Sequence, residues 1–368
     1  MTDTEKKILI IRLGALGDII RTMPSVKYLY ENFSKSSKYG SNCKIYWLSE
    51  TQNSGILENV SYIDKIIKLP RKEWQKNILG KNCLKVISEF INFIKELRKE
   101  NFDYVLDFHG IFKSGLLSYL TKCESRIGFS KKFSKEFNSF FNNIHINAKR
   151  GKPTRIEKNF SLLSYFFKET PQIKEIPDIF EIKENDKTTI DDFLKKLKFS
   201  KSIIINPSVS KLGRYKEWKE DYYSELCGLL LNYYKDENLI FTGGFGEFEK
   251  IERIISGIKN ISNDYKSRIF KAPEFRGKES AYLISKANLF ITGDTAPMHI
   301  ASFLNVPLIA LFGPSDVEIN KPFGSNNLLL YKPVGCNPCR KRKCKKLICQ
   351  TALKPDYVFE KIISFYQK

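Results

Sequence analysis

Short apolar runs alternate with amphipathic stretches along the first 110 residues. Residues 8–13 form a β-branched apolar run, and a glycine turn separates them from a helical pattern over residues 19–30. Further strands are predicted over 44–48, 63–69 and 104–108, and residues 83–99 place their apolar positions near one helical face. Strands that alternate with helices through short turns predict a parallel sheet with helices on both sides.

A second series of the same kind begins near residue 202. Its predicted strands cover 202–206, 238–242, 289–292 and 307–312, and its predicted helices cover 222–234, 247–258, 281–286 and 297–304. The periodicity is weak from 130 to 182, and residues 171–186 have the prolines and mixed charge of an interdomain linker. We therefore expect two doubly wound halves, which bind ligands at the carboxyl ends of their strands.

Composition narrows the class of protein without identifying it. A chain of 368 residues with 42% hydrophobic residues predicts two or three globular domains. The net charge of +21 is compatible with nucleic acid, phospholipid or a phosphorylated substrate, although abundant Lys, Ile, Asn and Phe are also typical of AT-rich genomes. The amino terminus does not resemble a signal peptide, and no apolar run approaches the ~18 residues of a membrane span. We expect a cytoplasmic protein.

The first strand-to-helix turn contains Gly14, Gly17 and Asp18. Glycines allow a sharp turn or the close approach of a ligand, and the acid would lie at the mouth of the binding cleft. A purely structural role as a helix N-cap is the alternative for Asp18. The spacing differs from Gly-x-Gly-x-x-Gly, which disfavours a nicotinamide-dependent dehydrogenase.

A second turn, residues 293–299, points to an anionic ligand. Asp294, Thr295 and Ala296 stand where a helix begins, so backbone N–H groups and a hydroxyl could hold a diphosphate. His299 lies one turn after Thr295 on the same helical face. The alternatives are a simple helix cap and a buried structural histidine.

Two further turns supply weaker candidates. Lys216 follows the turn at Ser208 and could neutralise a leaving phosphate, or it could be a solvated lysine. Gly243 and Glu247 flank another strand-to-helix turn, where the carboxylate could accept hydrogen bonds from ribose or favour the helix N-terminus.

Four of the eight cysteines cluster near the carboxyl end, at positions 336, 339, 344 and 349. Their spacing suits a tetrahedral zinc or iron–sulfur site, and equally suits reduced or paired structural thiols. The surrounding segment 332–349 is rich in lysine and could also face membrane lipid.

Together these motifs resemble glycosyltransferase family 9, the lipopolysaccharide heptosyltransferases. The resemblance extends over nearly the whole chain and rests on the stretch 10–18 with Thr22-Met23-Pro24, on Arg126-Ile127-Gly128-Phe129, on Lys216 and Trp218, and on residues 293–299 and 311–314. It implies a GT-B fold of two Rossmann-like domains that face a central cleft. Residues 1–180 would bind the acceptor, residues 181–352 would bind the nucleotide sugar, and residues 353–368 would form a helix that packs back on the N-terminal domain.

The resemblance also implies a metal-independent, inverting glycosyl transfer that needs no cofactor. Asp18 would be the general base and Lys216 would stabilise the leaving diphosphate. The implied donor-binding residues are Ser208, Gly243, Glu247, Asp294, Thr295, Ala296 and His299. The acceptor-side candidates are Gly14, Gly17, His109, Gly110 and Lys113.

The expected partners are ADP-heptose and an anionic lipid-linked saccharide, with peripheral contact between the basic segments 130–155 and 332–346 and the inner membrane. Another nucleotide sugar and another surface polysaccharide would fit the same motifs. A nucleic-acid-binding protein is the alternative from a different class, but the lysines are dispersed and no nucleic-acid module is recognisable, so no nucleic acid is expected.

Overall fold

The computed structural model describes residues 5–35, 42–78, 83–149, 151–173, 175–244, 246–259, 262–275, 277–339 and 341–366. The chain divides into two compact units, Met1–Glu181 and Ile182–Lys368. The sequence placed this boundary one residue earlier. No helix among the described ranges is long and apolar enough to cross a membrane.

The N-terminal unit is built on a six-stranded parallel sheet. Its strands are β1 (Lys6–Ile11), β2 (Cys43–Glu50), β3 (Lys65–Leu69), β4 (Tyr104–Asp107), β5 (Ser125–Phe129) and β6 (Ile144–Ile146), in the order β3-β2-β1-β4-β5-β6. Its helices are α1 (Leu16–Asn32), α2 (Arg71–Asn77), α3 (Cys83–Lys99), α4 (Phe112–Leu120) and α5 (Arg155–Ser161), with short 3₁₀ helices at Thr51–Leu57, Asn138–Phe140 and Leu162–Tyr165.

The C-terminal unit repeats this plan. Its parallel strands are β7 (Lys201–Asn206), β8 (Glu237–Phe241), β9 (Ile269–Lys271), β10 (Leu289–Gly293), β11 (Leu308–Phe312) and β12 (Asn327–Tyr331), in the order β12-β11-β10-β7-β8-β9. Its helices are α6 (Thr188–Leu194), α7 (Glu220–Tyr233), α8 (Phe248–Ser256), α9 (Asn263–Lys266), α10 (Gly277–Ser285), α11 (Ala296–Phe303), α12 (Val317–Asn320), α13 (Ile348–Thr351) and α14 (Pro355–Tyr366), with 3₁₀ helices at Glu184–Asp186 and Lys211–Lys216.

The strand order has a direct consequence for ligand binding. In each sheet the chain builds outward from its first strand in one direction, then returns and builds outward in the other. Connections therefore leave the first and fourth strands of each sheet toward opposite sides, and a crevice opens at their carboxyl ends. The crevices lie where β1 meets β4 and where β7 meets β10.

Burial explains why the central strands were predictable. Residues 8–11 and 203–205 have no exposed surface, so both faces of these strands must be apolar. The fold class is confirmed as two Rossmann-like sheets. The sequence missed β5, β6, β9 and β12, and the region 130–182, where little periodicity is visible, contains β6 and α5.

The last helix packs differently from the expectation. The buried side chains of α14, Val358 and Ile362, belong to the core of the C-terminal unit together with Leu230 of α7. The indole N–H of Trp218 donates a hydrogen bond to the carbonyl of Leu353, 2.9 Å away, just before this helix. The sequence assigned residues 353–368 to the surface of the N-terminal domain because an apolar helical face does not specify its partner.

Candidate active site

Asp18 lies in the first turn of α1, directly after the turn that follows β1. Its carboxylate is paired with Arg12 Nη2 at 2.6 Å and with Arg21 Nη2 at 2.5 Å, and 28% of the side chain is exposed. Burial by itself would raise the pKa of Asp18, but the charges of Arg12, Arg21 and Arg155 outweigh burial and hold this pKa well below its usual range. Asp18 is therefore an ionised carboxylate that remains accessible at neutral pH.

Local structure explains why arginines surround this carboxylate. Arg12 follows β1 and donates from Nη1 to the carbonyl of Phe108 at 2.6 Å, which joins the ends of β1 and β4. Arg21 follows Asp18 by three residues on α1, so both side chains share one helical face. The amide of Asn159 on α5 donates to the carbonyl of Arg21 at 2.9 Å, and this contact brings Arg155 to the same region.

The loop after β4 contributes the acceptor-side candidates His109 and Gly110. The buried carboxylate of Asp107 accepts hydrogen bonds from the backbone N–H groups of both residues, at 2.9 and 3.1 Å, and another from Ser114 Oγ at 2.9 Å. Gly110 has a φ of +70°, a backbone conformation that favours glycine. Asp107, which the sequence analysis did not select, thus positions the loop.

His109 is tied to the first turn as well. The backbone N–H of Leu13 donates to His109 Nδ1 at 3.2 Å, so this ring nitrogen carries no proton. Burial and the nearby charge of Arg12 lower the pKa of His109 to about 3, so the ring is neutral at physiological pH. A neutral imidazole fixed in this tautomer carries its proton on Nε2 and can donate a hydrogen bond from there to a ligand hydroxyl.

The glycines of the first turn differ in their roles. A Cβ at Gly14 would lie 2.4 Å from the side-chain nitrogen of Asn53, which itself donates to the carbonyl of Leu13 at 3.2 Å. Gly17 lies within the first turn of α1, next to Asp18. The structure therefore gathers Gly14, Gly17, Asp18, His109 and Gly110 at the β1 and β4 ends, and it places the exposed Lys113 at the start of α4.

In the C-terminal unit, Asp294 directly follows β10, the fourth strand of its sheet, as β4 is the fourth strand of the N-terminal sheet. Lys216 Nζ donates to Asp294 Oδ2 at 2.6 Å, and Ser315 Oγ donates to the same oxygen at 2.5 Å. Burial opposes ionisation of Asp294, but the charge and hydrogen bond of Lys216 outweigh it and lower the pKa of this carboxyl group. The sequence analysis missed Ser315, which follows the neighbouring strand β11.

Helix α11 begins two residues after Asp294. Thr295 is its N-cap residue and Ala296 its first residue, with Pro297 in the first turn. The first N–H groups of a helix have no acceptor within the helix and attract anions. His299 is buried further along α11, and its electrostatic effect is among those that lower the pKa of Asp294.

The other donor-side candidates lie together at the ends of β7 and β8. Ser208 is buried, and its backbone N–H donates to Asn206 Oδ1 at 3.2 Å. A Cβ at Gly243 would lie 3.2 Å both from Ser208 Oγ and from Glu247 Cβ, so these three residues are neighbours. Glu247 is half-buried and precedes the first residue of α8.

The described part of the cysteine segment, residues 332–339 and 341–349, contains no preassembled metal centre. Cys336 is exposed, Cys339 and Cys344 are half-buried, and Cys349 is buried at the start of α13. In the part of the chain that the structure describes, no group of three or more His, Cys, Asp or Glu residues is placed to hold a metal ion. Arg150 and Arg340, which belong to the two basic segments, lie outside the described residues.

The fold agrees with comparisons to known proteins. The family model for glycosyltransferase family 9 (heptosyltransferase) matches residues 90–349. Lipopolysaccharide heptosyltransferase 1 of Campylobacter coli is 28% identical over 315 residues, which cover 83% of this chain and 84% of the relative. Lipooligosaccharide heptosyltransferase 2 of Campylobacter jejuni is 25% identical over 354 residues, which cover 94% and 95%.

Solved structures agree on the fold. The structure of the E. coli heptosyltransferase WaaC with ADP superposes with a TM-score of 0.71 at 19% identity, covering 98% of this chain and 99% of that one. The architecture is thus that of a GT-B glycosyltransferase. The chain belongs to glycosyltransferase family 9, the heptosyltransferase family.

Proposed function

We propose that this protein transfers a heptose from ADP-heptose to a lipid A–inner-core lipopolysaccharide acceptor, with inversion at the anomeric carbon and without a metal ion. One observation carries the proposal: an ionised, partly exposed carboxylate, Asp18, lies at the carboxyl end of β1 where a Rossmann-like sheet binds ligands. Relatives named as lipopolysaccharide heptosyltransferases, and a solved relative with ADP bound, support the choice of donor and acceptor.

In this mechanism Asp18 is the general base. The acceptor hydroxyl oxygen attacks the anomeric carbon, its proton passes to the Asp18 carboxylate, and the bond between that carbon and the ADP oxygen breaks. His109, Gly110 and Lys113 would contact the acceptor beside the turn of Gly14 and Gly17. The neutral ring of His109 supports a hydrogen-bonding role rather than a charged one.

The C-terminal unit would hold the donor. Lys216 would stabilise the negative charge on the departing diphosphate, with the N–H groups of Thr295 and Ala296 at the start of α11. Asp294 supports this role because its carboxylate accepts the hydrogen bond from Lys216 Nζ, and Ser315 donates to the same carboxylate oxygen. His299 would support the Asp294 turn.

The nucleotide would be contacted by the turns after β7 and β8. Ser208, Gly243 and Glu247 are neighbours there, and the Glu247 carboxylate would accept hydrogen bonds from the ribose hydroxyls. Neutralisation of the diphosphate by a lysine and helix N–H groups replaces the divalent cation that other nucleotide-sugar sites use. We place the reaction at the cytoplasmic face of the inner membrane, where a lipid-linked acceptor is available.

The test is a transfer assay with purified protein, ADP-heptose and heptose-deficient lipopolysaccharide acceptor. Asp18→Asn should keep ADP affinity and lower kcat by about 10²–10⁴-fold, the usual contribution of a general base. Asp103→Asn is the matched control. Asp103 precedes β4, so it lies at the amino-terminal end of the strands, opposite to Asp18, and it pairs with Lys6 at 3.0 Å. The control should retain wild-type kcat.

Three results would contradict parts of this proposal. An Asp18→Asn variant with kcat within threefold of wild type would place the base elsewhere. Thermal stabilisation by UDP or GDP in preference to ADP would keep the reaction class but change the donor. Loss of transfer in the presence of EDTA, reversed by added Mg²⁺, would refute metal independence.

A further inference from the structure

Two phenylalanine side chains of the N-terminal unit are strongly exposed to solvent. Phe137 is 74% exposed and Phe140 is 75% exposed, and their ring centroids lie 6.1 Å apart. They lie at and just before the short 3₁₀ helix Asn138–Phe140. A side chain as apolar as phenylalanine is rarely left this exposed in pairs unless the surface binds something.

The backbone holds this pair in place at a cost. Glu136 and Phe137 have φ values of +52° and +58°, the left-handed region that residues with a Cβ avoid. Asn138, the next residue, is fully buried, and its amide donates to Asp107 Oδ2 at 2.5 Å and to the carbonyl of Ile111 at 2.8 Å. A strained backbone anchored by a buried side chain keeps Phe137 pointing into solvent, which indicates a function for the exposure.

Two residues of α4 extend the same surface. Phe112 is 45% exposed and Tyr119 is 56% exposed, and the ring of Phe141 contacts both, with centroids at 5.3 and 6.3 Å. We name Phe112, Tyr119, Phe137 and Phe140 the aromatic patch. It adjoins the acceptor-side loop, because the backbone N–H of Lys135 donates to the carbonyl of Gly110 at 2.9 Å.

The charges around the aromatic patch are mainly positive. Lys131, Lys132 and Lys135 precede Phe137 and are exposed, and Glu136 is the single acid in the stretch 130–141. Lys113 is exposed on α4, and the guanidinium of Arg126 lies 5.6 Å from the ring centroid of Tyr119. Exposed aromatic side chains beside several cations match the interface of an anionic bilayer, where aromatic side chains enter the headgroup region and cations contact lipid phosphates.

We propose that the aromatic patch inserts into the surface of an anionic phospholipid bilayer and that its lysines hold it there. This deepens the proposed function, since it names the surface by which the enzyme would approach a lipid-linked acceptor. The inference itself concerns lipid binding and is tested with neither donor nor acceptor, so its failure and the failure of the proposed reaction are distinguishable.

The test is flotation of the full-length protein with vesicles of phosphatidylethanolamine and phosphatidylglycerol, and with vesicles of phosphatidylcholine alone. The wild type should float with the anionic vesicles, and Phe137→Ser/Phe140→Ser should lower the partition coefficient by at least about tenfold. Lys131→Gln/Lys132→Gln should lower it by about tenfold at low salt and flatten its dependence on NaCl. Unchanged thermal unfolding would show that the variants fold.

A matched control comes from the same unit. Leu84 and Ile91 on α3 are 82% and 47% exposed, and Leu84→Ser/Ile91→Ser removes exposed apolar surface from a helix that contains none of Lys131, Lys132 and Lys135. The control should float as the wild type does. The proposal is overturned if the control loses binding as the phenylalanine variant does, or if wild type prefers neutral vesicles.

A direct contact measurement separates lipid from protein partners. Phe137→Trp should gain fluorescence that brominated acyl chains quench, beyond any quenching seen in the wild type. If the phenylalanine variant instead converts an oligomer to a monomer in light scattering and leaves flotation unchanged, the aromatic patch joins copies of this chain and the lipid proposal is wrong.

Discussion

Replacing Asp18 by asparagine should destabilise the N-terminal unit, apart from any effect on turnover. The change removes the carboxylate that Arg12 and Arg21 share, while their side chains are only 12% and 11% exposed. Removal of one partner from a buried pair costs about 3–5 kcal/mol, and exposed pairs contribute about 0–1 kcal/mol. With Asp18 at 28% exposure, we expect a loss of about 2 kcal/mol. For a unit of this size that lowers Tm by about 4–8 °C.

The direction in which NaCl changes the stability loss of Asp18→Asn identifies the physical cause of that loss. In the wild type, NaCl screens the attraction between Asp18 and its arginines, whereas in Asp18→Asn it screens the repulsion between Arg12 and Arg21. The stability deficit of the variant should therefore shrink as NaCl rises. Since the folded pKa of Asp18 lies below its unfolded value of about 3.9, the contribution is fully present above that value and is lost only as the pH falls toward the folded pKa. The deficit should be constant from about pH 6 to pH 8.

Denaturant unfolding of Asp18→Asn, Arg21→Gln and the double variant measures the interaction free energy between Asp18 and Arg21. The double variant should be more stable than the sum of the single losses predicts, by about 1–2 kcal/mol, because Arg21→Gln removes one of the cations left unpaired. Asp103→Asn, in an ion pair about one-third exposed on both sides, is the control and should lose less than about 1 kcal/mol. Additive losses with a deficit that is independent of salt would refute the account of Asp18 as the centre of a cationic cluster.

Two further predictions concern single side chains. Because the pKa of His109 is about 3 when folded and about 6.5 when unfolded, the unfolded chain gains a proton that the folded chain does not, and wild-type stability should fall as the pH drops below about 6.5. His109→Gln should reduce this loss in urea unfolding between about pH 7 and pH 5. Lys216→Gln should lower kcat by about 10²–10³-fold in the transfer assay, more than it changes KM for the donor. Lys219→Gln is the control, since Lys219 is an exposed lysine three residues further along the chain, and its kcat should match wild type. An equal loss of kcat in both variants would contradict a specific role for Lys216.

The predictable part of the fold is the part that is buried on both faces. Residues 8–11 and 203–205 are continuous apolar runs, as expected of central strands that are covered on both faces. The three-residue strands β6 and β9 are too short for any periodicity, and no residue in either strand is fully buried. Helix α5 escaped prediction because its buried face includes Asn159 and Ser161, which bond to neighbouring backbone instead of forming an apolar stripe.

In the candidate site too, features of the local sequence were predictable and contacts between distant residues were not. The turns at residues 14–18 and 293–299 were visible because glycine and a polar residue between a strand and a helix are local features. Asp107 and Ser315 were not, since each matters through bonds to residues that the topology brings near: Asp107 to Asn138 and Ser315 to Asp294. Arg21 was not predicted, although its position three residues after an acid at the start of a helix is a signal visible in the sequence.

Charge becomes informative only with position. The surplus of +21 is spread along the sequence and selects no partner, yet Arg12 after β1, Arg21 on α1 and Arg155 on α5 converge on Asp18. If Asp18 is the base, its low pKa makes removal of the hydroxyl proton before attack unfavourable, so the proton moves as the new glycosidic bond forms and the hydroxyl becomes acidic. Protonation of Asp18 leaves the same arginines without their counter-charge, and the site is therefore suited to an acceptor that brings negative charge of its own.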